Sequence, residues 1–193
     1  TLKSVNLLSP VARPGKILGI GVNYAAHAAE SVSFVQGAPE IQKWFNKQAT
    51  AINDPNGDVH LPKVSDQLDY EAELVVIIGQ HGRHVPRERA HEIIAGVCCG
   101  ADYSVRDWQK ASPTMIMGKG FDTHAPIGPW ITTADEVGDP HALSIRSFVN
   151  GELRQDSNTK NLIFDCFALV EHLSDGFTLE PGDVIATGTP GGV

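Results

Sequence analysis

Two glutamates lead directly into a purely apolar run, and this arrangement constrains the chain more than any other. Glu71 and Glu73 precede Leu74–Ile78, so a buried strand is predicted over Glu71–Ile78. Because side chains two apart on a strand point to the same face, the two carboxylates should lie side by side. Their charges repel, and a divalent cation with oxygen ligands relieves that repulsion. A metal site fits the pattern, but the spacing alone is explained as well by a strand start at which one or both glutamates face solvent.

A third carboxylate lies in a second apolar segment, Val97–Ser104, which is predicted to form another strand. Asp102 lies within this segment, and a lone carboxylate in an apolar environment needs a partner. It is a candidate third metal ligand. It could instead cap a short helix predicted over Arg106–Ala111, or pair with the guanidinium of Arg106. The residues alone leave these three interpretations open.

Other polar residues have spacings that suit catalysis or substrate binding. His27 and Glu30 would be neighbours on a helix, where the carboxylate can fix the imidazole tautomer and raise its basicity. On spacing alone, a surface helix whose polar face happens to carry both residues is the simpler interpretation. Arg106 and Gln109 also share a helical face, and Lys119 lies between two glycines. An acidic substrate could use these three side chains, although the Gly-Lys-Gly segment also suits an ordinary exposed turn.

A glycine-rich segment, residues 187–192, follows the strand predicted over Val184–Thr187. Its glycines could expose backbone N–H groups to an anion, although a tight surface loop is the simpler interpretation. The sequence holds no Gly-x-Ser-x-Gly motif, and its three cysteines lie in apolar strings that are typical of a core. A serine or cysteine nucleophile is therefore not expected.

The order of the predicted elements indicates an α+β, strand-rich fold. No regular βαβ alternation occurs, which argues against a doubly wound sheet. Asn150-Gly151 between Ser144–Val149 and Glu152–Gln155 predicts a hairpin with a type I′ turn. The remaining predicted elements are a strand over Ile17–Val22, helices over Asn23–Glu30, Pro86–Ile94 and Leu162–Leu173, and a loop over residues 31–42.

Composition narrows the function classes. The formal net charge is −8 without a basic run, so neither a nucleic acid nor an anionic membrane is an expected partner. The apolar runs are too short to span a bilayer, and no signal peptide is recognisable. Three cysteines, two of them adjacent, favour a reducing, cytoplasmic setting.

Six segments of the chain together match one known pattern. They are Gly21-Val22-Asn23-Tyr24 with His27 and Glu30, Asp69-Tyr70-Glu71-Ala72-Glu73-Leu74, Asp102 followed by Arg106-Asp107-Trp108-Gln109, Gly118-Lys119-Gly120-Phe121-Asp122, Val149-Asn150-Gly151, and Pro181-Gly182-Asp183-Val184-Ile185-Ala186-Thr187-Gly188-Thr189-Pro190. In this order they closely resemble the catalytic domain of the fumarylacetoacetate hydrolase (FAH) family over nearly the whole chain. Longer members have a further metal-ligating Asp where this chain has Ile20, so the shorter bacterial-type branch resembles it more.

The resemblance implies a fold of mixed β-sheets rolled into a sandwich-like barrel with flanking helices. It implies one catalytic domain over residues 1–193 that lacks its C-terminal end, and a homodimer. It also implies a set of site residues. These are Glu71, Glu73 and Asp102 as ligands of Mg²⁺ or Mn²⁺, a His27–Glu30 dyad on a lid, and Lys119, Arg106, Gln109 and Thr189 as contacts of the substrate's carboxylate and oxo groups.

The function that these expectations favour is metal-dependent hydrolysis of a C–C bond in an acylpyruvate or related 1,3-diketo acid, similar to fumarylacetoacetate or fumarylpyruvate. His27, oriented by Glu30, would deprotonate the attacking water, and Lys119 would stabilise the pyruvate enolate that leaves. The same site also suits an oxaloacetate decarboxylase, or an isomerase or decarboxylase of aromatic catabolism. A non-catalytic binding protein is disfavoured, because the acidic trio and the dyad are both present.

Overall fold

The computed structural model describes residues 5–30 and 39–193, and a curled seven-stranded sheet forms the centre of this described part. The strands in chain order are β1 (Ile17–Gly21), β2 (Lys43–Lys47), β3 (Ile52–Asn53), β4 (Leu68–Asp69), β5 (Ala72–Ile78), β6 (Ile94–Ala101), β7 (Ser104–Val105), β8 (Ala125–Thr133), β9 (Ser144–Val149), β10 (Glu152–Asn158) and β11 (Val184–Ala186). The order across the large sheet is β2-β1-β11-β5-β6-β8-β3. β1 pairs in parallel with β11, and β3 with β8, while the other neighbours are antiparallel.

Helices flank this sheet, and two-stranded ribbons, β9–β10 and β4–β7, complete the strand pairing of the described chain. The α-helices are α1 (Ala25–Glu30), α2 (Arg106–Ala111), α3 (Ile116–Lys119), α4 (Ala134–Val137) and α5 (Cys166–Gly176), and short 3₁₀ helices cover Ala49–Ala51, Arg87–Ile93 and Thr159–Asn161. Every helix in residues 5–30 and 39–193 is too short or too polar to cross a bilayer. The mixed sheet with flanking helices confirms the α+β, strand-rich class.

The apolar run of β5 is buried on both faces of the sheet. Leu74, Val76 and Ile78 pack into a cluster that includes side chains of α5, whereas Val75 and Ile77 pack into a second cluster on the opposite face. A strand covered on both sides has no polar alternation, which explains the continuous apolar sequence. The predicted strand is therefore correct, except that the structure begins it at Ala72.

Three predicted helices have different bounds in the structure, and the one predicted over Asn23–Glu30 begins at Ala25. The last long helix begins at Cys166, not at Leu162, because the Asp165 side chain caps it by accepting a 2.9 Å hydrogen bond from the N–H of Ala168. The preceding residues form a bend outside the helix, where the N–H of Phe164 donates to Asn23 Oδ1 at 2.8 Å. The helix predicted over Pro86–Ile94 is a 3₁₀ helix over Arg87–Ile93, and Ile94 already belongs to β6.

The predicted Asn-Gly hairpin is confirmed. Asn150 and Gly151 both have positive φ angles, 53° and 83°, as a type I′ turn requires. A bulge at Arg154 shifts the register, so that Leu153 pairs with Phe148 whereas Gln155 pairs with Ser147. The bulge changes which side chains face inward, and Gln155 is only 1% exposed.

The prediction that the three cysteines lie in the core is confirmed for Cys98 and Cys166. Burial raises the pKa of each of these two thiols to about 12. The prediction is wrong for Cys99, which is exposed because it points to the opposite side of β6 from Cys98.

Of the loop predicted over residues 31–42, residues 31–38 lie outside the described part, and residues 39–42 have no regular structure.

Candidate metal centre and active site

The ends of two neighbouring strands bring the predicted carboxylates together. Glu71 immediately precedes β5, Glu73 lies on it, and Asp102 immediately follows β6. The N–H of Asp102 donates to the carbonyl of Glu71 at 2.9 Å, which extends the β5–β6 pairing by one step. One carboxylate oxygen from each of the three residues lies within 4.8 Å of the other two, and all three side chains are buried. The structure thus assembles the acidic trio expected from the sequence.

Two buried lysines neutralise part of this charge. Lys119 donates to both Glu71 oxygens at 2.9 Å and to Asp102 Oδ2 at 2.6 Å. Lys47 donates to the other Asp102 oxygen, Oδ1, and to the carbonyl of Tyr103 at 3.0 Å. Each oxygen of Asp102 is therefore bound by a lysine. Lys119 also lies over the ring of Phe45, 4.8 Å from its centroid.

Burial and these contacts change the pKa values of the buried groups in opposite directions. Burial would raise the pKa of Glu71, but the charges of Lys119 and Arg106 outweigh it and hold that pKa well below its usual range. Burial likewise opposes the charge of Lys119, yet its carboxylate neighbours raise the pKa above the usual value. Lys47 differs, because burial dominates there and lowers its pKa. Glu71 is thus an anion at neutral pH.

Glu73 is the least satisfied member of the trio. Its Oε2 accepts a hydrogen bond from the N–H of Gly188 at 2.8 Å, but its buried Oε1 has no hydrogen-bond partner among the described residues. Burial, together with repulsion from Asp102 and Glu71, raises the pKa of Glu73 well above its usual value. An unpartnered oxygen beside two further carboxylates is a site that a hard divalent cation satisfies. The donor set therefore fits Mg²⁺ or Mn²⁺.

Arg106 and Gln109 lie on one face of α2, as predicted. The Nη1 of Arg106 donates to Glu71 Oε1 at 2.6 Å and to Gln109 Oε1 at 2.9 Å, and its Nε donates to Asp69 Oδ2 at 2.8 Å. The ion pair considered for Arg106 and Asp102 is not what forms, since Arg106 pairs with Asp69 and Glu71 instead. The guanidinium therefore borders the acidic trio from outside.

The glycine before Lys119 has a packing role. A Cβ on Gly118 would lie 2.3 Å from the backbone nitrogen of Gln109, so only glycine allows α3 to pack this closely against α2. This contact sets the position of Lys119 beside the carboxylates. The close backbone approach expected for the Gly-Lys-Gly segment is thus made to a neighbouring helix.

A cavity of about 500 Å³ lies over the cluster. Part of its lining is apolar and includes Ile20, Phe45 and Met115. Seven predicted site residues also line it, together with the polar residues Lys43, Asp69, Lys110 and Ser112; the seven are His27, Glu30, Glu71, Arg106, Gln109, Lys119 and Thr189. A small anionic molecule with an apolar end would find complementary residues in this lining.

His27 and Glu30 both line this cavity, but the structure holds them slightly apart. The distance from His27 Nδ1 to Glu30 Oε2 is 4.0 Å, and Nδ1 is a buried atom without a hydrogen-bond partner in the described chain. The Glu30 carboxylate instead accepts the N–H of Gly192 at 3.1 and 3.0 Å. Burial lowers the pKa of His27, so the ring is neutral and able to accept a proton.

Thr189 is fixed by residues outside the predicted site. Its hydroxyl donates to the carbonyl of Ala72 at 2.9 Å and accepts a 2.7 Å hydrogen bond from Gln155 Nε2. The segment 187–192 was considered as an anion site, yet the N–H groups of Gly188 and Gly192 are used by Glu73 and Glu30. This segment therefore connects the acidic trio to the His27–Glu30 pair.

Sequence reasoning missed Lys47 and Gln155. Lys47 follows Phe45 by two positions, so both side chains point to the same side of β2, and a lysine beside a buried ring needs a counter-charge. That signal was available in the sequence. Gln155 had no comparable signal, because the bulge that turns it inward is visible only in the register of the hairpin.

Comparison with known proteins identifies the family. The sequence profile described as fumarylacetoacetate (FAA) hydrolase C-terminal matches residues 16–193. The chain belongs to this family. Its resemblance to fumarylacetoacetate hydrolases is therefore confirmed over almost the entire sequence.

Relatives of the chain within this fumarylacetoacetate hydrolase family have several different names. A mitochondrial oxaloacetate tautomerase from Xenopus laevis is 42% identical over 98% of this chain and 59% of the relative. The crystal structure of 5-carboxymethyl-2-hydroxymuconate delta-isomerase from Mycobacterium smegmatis superimposes with a TM-score of 0.88, at 43% identity over 99% of this chain and 73% of that one. Maleylpyruvate hydrolase from Sphingobium sp. SYK-6, in complex with manganese(II) and pyruvate, gives a TM-score of 0.84 at 40% identity, over 99% of this chain and 66% of that one.

The chain spans about three fifths of the length of the curated relatives that it matches, since it covers 59%, 64% and 60% of three of them. Their names describe tautomerisation, isomerisation and hydrolysis of small acids, which differ in the bond that changes. Family membership therefore supports the fold and the general chemistry, and the reaction of this chain needs an argument from its own site.

Proposed function

We propose that this chain forms the catalytic site of a divalent-metal-dependent enzyme that hydrolyses a C–C bond of an acylpyruvate-type 1,3-diketo acid. One observation supports this above the others. The buried trio of carboxylates leaves Glu73 Oε1 without a partner and adjoins a cavity of about 500 Å³ lined by a neutral histidine. The cation and the base that such a hydrolysis needs would thus share one wall.

Glu71, Glu73 and Asp102 would hold Mg²⁺ or Mn²⁺, which when bound supplies Lewis-acid polarisation of the substrate's oxo group. The hydrolase relative solved with manganese(II) supports this assignment. Lys119 now donates all of its hydrogen bonds to Glu71 and Asp102. When Glu71 and Asp102 are shared with the metal, Lys119 would have N–H donors for the negative charge that develops on the substrate.

The remaining polar wall would orient the substrate. Arg106 and Gln109 are hydrogen-bonded to each other on one face of α2, and both line the cavity. The positive charge of the guanidinium suits the carboxylate of a 2-oxo acid, which would bind beside the donors that Asp69, Glu71 and Gln109 already use. Thr189 also lines the cavity, and its apolar lining residues would contact the substrate's acyl chain.

His27 would be the general base. Its neutral ring accepts a proton from water, and the resulting hydroxide attacks the distal carbonyl carbon of the diketo acid. The C–C bond then breaks, its electron pair leaves as the pyruvate enolate, and the protonated His27 returns a proton to the enolate carbon. Glu30, 4.0 Å away, would move closer to His27 Nδ1 and stabilise the imidazolium.

A second candidate is enolisation of oxaloacetate, with or without loss of carbon dioxide. It is favoured by the similarity to the Xenopus relative, which is described as an oxaloacetate tautomerase. Tautomerisation moves a proton from C3 to the oxo oxygen and breaks no C–C bond, so His27 as a proton carrier would suffice. The relative named as a delta-isomerase also supports this candidate, since isomerisation, like tautomerisation, needs no hydrolysis of a C–C bond.

An activity panel tests the proposal. Acylpyruvate, fumarylpyruvate and oxaloacetate are each assayed with Mg²⁺, with Mn²⁺ and with a chelator. We expect pyruvate release from the acylpyruvates with either metal and none with the chelator. Turnover of oxaloacetate alone would replace the proposal by the second candidate. Loss of all activity in every condition, with no metal-dependent rise in melting temperature, would indicate a non-catalytic protein.

A homodimer and a cytoplasmic location remain predictions for this chain. Size-exclusion chromatography with light scattering measures the first. Fractionation of the source cells measures the second, and a result outside the cytosol has a precedent, since the Xenopus relative is described as mitochondrial.

A further inference from the structure

We propose that the hydroxyl of Thr189 meets a bound ligand only as a hydrogen-bond acceptor. It would then recognise an O–H donor, such as an enol or a hydroxyl group, and not a carboxylate or oxo oxygen. The inference deepens the proposed function and rests on it for the statement that the cavity binds 2-oxo acids. The polarity of the hydroxyl itself follows from the contacts alone.

The orientation of the Gln155 amide is the first step. Its Oε1 accepts the backbone N–H of Ala72 at 3.0 Å, and its Nε2 donates to the carbonyl of Pro190 at 2.9 Å. A backbone N–H can only donate, and a proline carbonyl can only accept. Exchanging the amide oxygen and nitrogen would break both hydrogen bonds, so Nε2 is the atom that faces Thr189.

The hydroxyl of Thr189 is consequently fixed. Gln155 Nε2 lies 2.7 Å from Thr189 Oγ1 and donates to one of its two lone pairs. The carbonyl of Ala72 lies 2.9 Å from the same oxygen and requires a donor, so it takes the single hydrogen of the hydroxyl. Only one lone pair of Thr189 Oγ1 is then left for a ligand in the cavity.

Gln155 is held firmly enough to maintain this arrangement. Ser147 donates to its Oε1 at 3.0 Å, so the amide uses both of its donors and both of its acceptor positions. The side chain is 1% exposed, and the bulge in β10 directs it inward. Turning the hydroxyl of Thr189 toward the cavity would take this donor away from the partly buried carbonyl of Ala72, which is costly.

The cavity therefore offers two kinds of polar contact. Arg106 and Lys119 are purely donors, and they suit the lone pairs of a carboxylate or an oxo group. Thr189 is purely an acceptor toward the ligand, where an oxo oxygen would meet another lone pair and be repelled. A ligand with one anionic end and one hydroxyl satisfies both, and the enol form of a 2-oxo acid has this combination.

Neutron diffraction on crystals exchanged into D₂O tests the polarity directly. We expect the deuteron on Thr189 Oγ1 to point toward the carbonyl of Ala72, and two deuterons on the Gln155 nitrogen that faces Thr189. A deuteron on Thr189 that points into the cavity would overturn the proposal. This measurement needs no ligand, so it decides the polarity even if the proposed function is wrong.

Calorimetric binding tests the consequence with two probes, oxalate and glycolate, on the magnesium-loaded protein. Glycolate presents a hydroxyl where oxalate presents only lone pairs. Thr189→Val should weaken glycolate binding about tenfold and change oxalate binding by less than about twofold, and Thr189→Ser should restore glycolate binding. Thermal unfolding of each variant verifies that it is folded.

Equal weakening of both probes by Thr189→Val would contradict the acceptor-only role. If the unmodified protein binds neither probe although it binds Mg²⁺, the proposed function fails, and the neutron map alone then confirms or refutes the polarity of Thr189. The two failures are thus distinguishable.

Discussion

Glu71 of the acidic trio lines the same cavity as the His27–Glu30 pair, yet the trio and the pair differ in how completely their contacts are formed. Glu71 and Asp102 are buried, and each is bound by charged donors at hydrogen-bond distance. Glu30 is 47% exposed at its side chain and lies 4.0 Å from the histidine that it was expected to orient. The contacts of Glu71 and Asp102 are therefore formed, whereas the hydrogen bond expected between His27 and Glu30 is not.

The difference follows from where each pair lies in the fold. The trio is set by strand pairing at the centre of the sheet, where a change in position would disrupt the core. His27 and Glu30 lie on α1, a six-residue helix whose last residue, Glu30, immediately precedes residues outside the described part. The residues proposed to hold the metal thus lie at the ends of central strands, whereas the residues proposed to adjust to a substrate lie on a short helix.

The sharpest test of this contrast is His27→Ala. Loss of the general base should lower the rate of acylpyruvate hydrolysis by about 10²- to 10⁴-fold, while Mg²⁺ affinity by calorimetry stays unchanged. Since burial lowers the pKa of His27 below 6.5, the unmodified enzyme should lose activity only as the pH falls through that lower value, where the ring becomes protonated. His172→Ala, at an exposed position, is the control. Hydrolysis at the original rate in His27→Ala would remove the dyad from the mechanism.

Asp102→Ala tests the assembled half. Two buried lysines, Lys47 and Lys119, lose the carboxylate that they share, so the free energy of unfolding should fall by about 3–5 kcal/mol. Binding of Mn²⁺ should also be lost. Urea unfolding monitored by circular dichroism measures the first effect, and Asp156→Ala, in an exposed pair with Arg146, should cost less than about 1 kcal/mol. Equal losses in the two variants would mean that the cluster is not held by these ion pairs.

Glu30→Gln tests the half that must move. Glutamine keeps an acceptor for the N–H of Gly192 but cannot stabilise a charged imidazole, so kcat should fall about tenfold with little change in stability. Steady-state kinetics measure kcat, with Glu88→Gln as an exposed control. If kcat of Glu30→Gln stays within a factor of two, Glu30 serves only to hold residues 188–193.

Glu73→Gln has the smallest expected effect, which is an effect on stability, and whether it raises or lowers the melting temperature relative to the unmodified protein depends on the metal. Burial and neighbouring carboxylates raise the pKa of Glu73 above 4.5, so in the metal-free protein its stabilising contribution is complete below pH 4.5 and is lost as pH rises through the raised value. At pH 8 the neutral glutamine should therefore raise the melting temperature of metal-free protein by at least about 2 °C, which corresponds to roughly 1 kcal/mol.

Added Mg²⁺ should stabilise the unmodified protein and leave Glu73→Gln nearly unchanged. Differential scanning calorimetry with and without the metal measures both effects, and Glu152→Gln at the exposed hairpin is the matched control. A variant that melts lower than the unmodified protein without metal would show that Glu73 is not strained by its neighbours.

Much of the fold was predictable because its signals are local. The apolar run of β5, the Asn150-Gly151 turn and the apolar face of α5 each depend on residues a few positions apart. The start of α5 was misplaced at Leu162. The helix begins after its Asp165 cap, and Phe164 is held outside the helix by Asn23, which is 141 residues away. Local periodicity contains no information about such a partner.

The site divides in the same way. Glu71 and Glu73 were recognisable from their spacing, and Asp102 from its apolar surroundings. Lys47 reaches Asp102 only because β2 pairs with β1 in one register, in which Phe45 lies opposite Gly19. A Cβ at Gly19 would lie 2.4 Å from that ring, so this register needs the glycine. The partners that balance the charge of the trio are therefore properties of the assembled sheet.

The position of β11 has a consequence for how the chain folds. This strand lies between β1 and β5, and it pairs Ile17 with Val184 across nearly the whole sequence. A ribosome would finish β1, β2 and the β5–β6–β8 meander long before the strand that joins them emerged. Such distant pairing slows folding, and the two halves would wait with exposed edges that invite aggregation. A chain released before Ala186 would keep those edges open, so we expect synthesis through Ala186 to be the step that commits this domain to its native state.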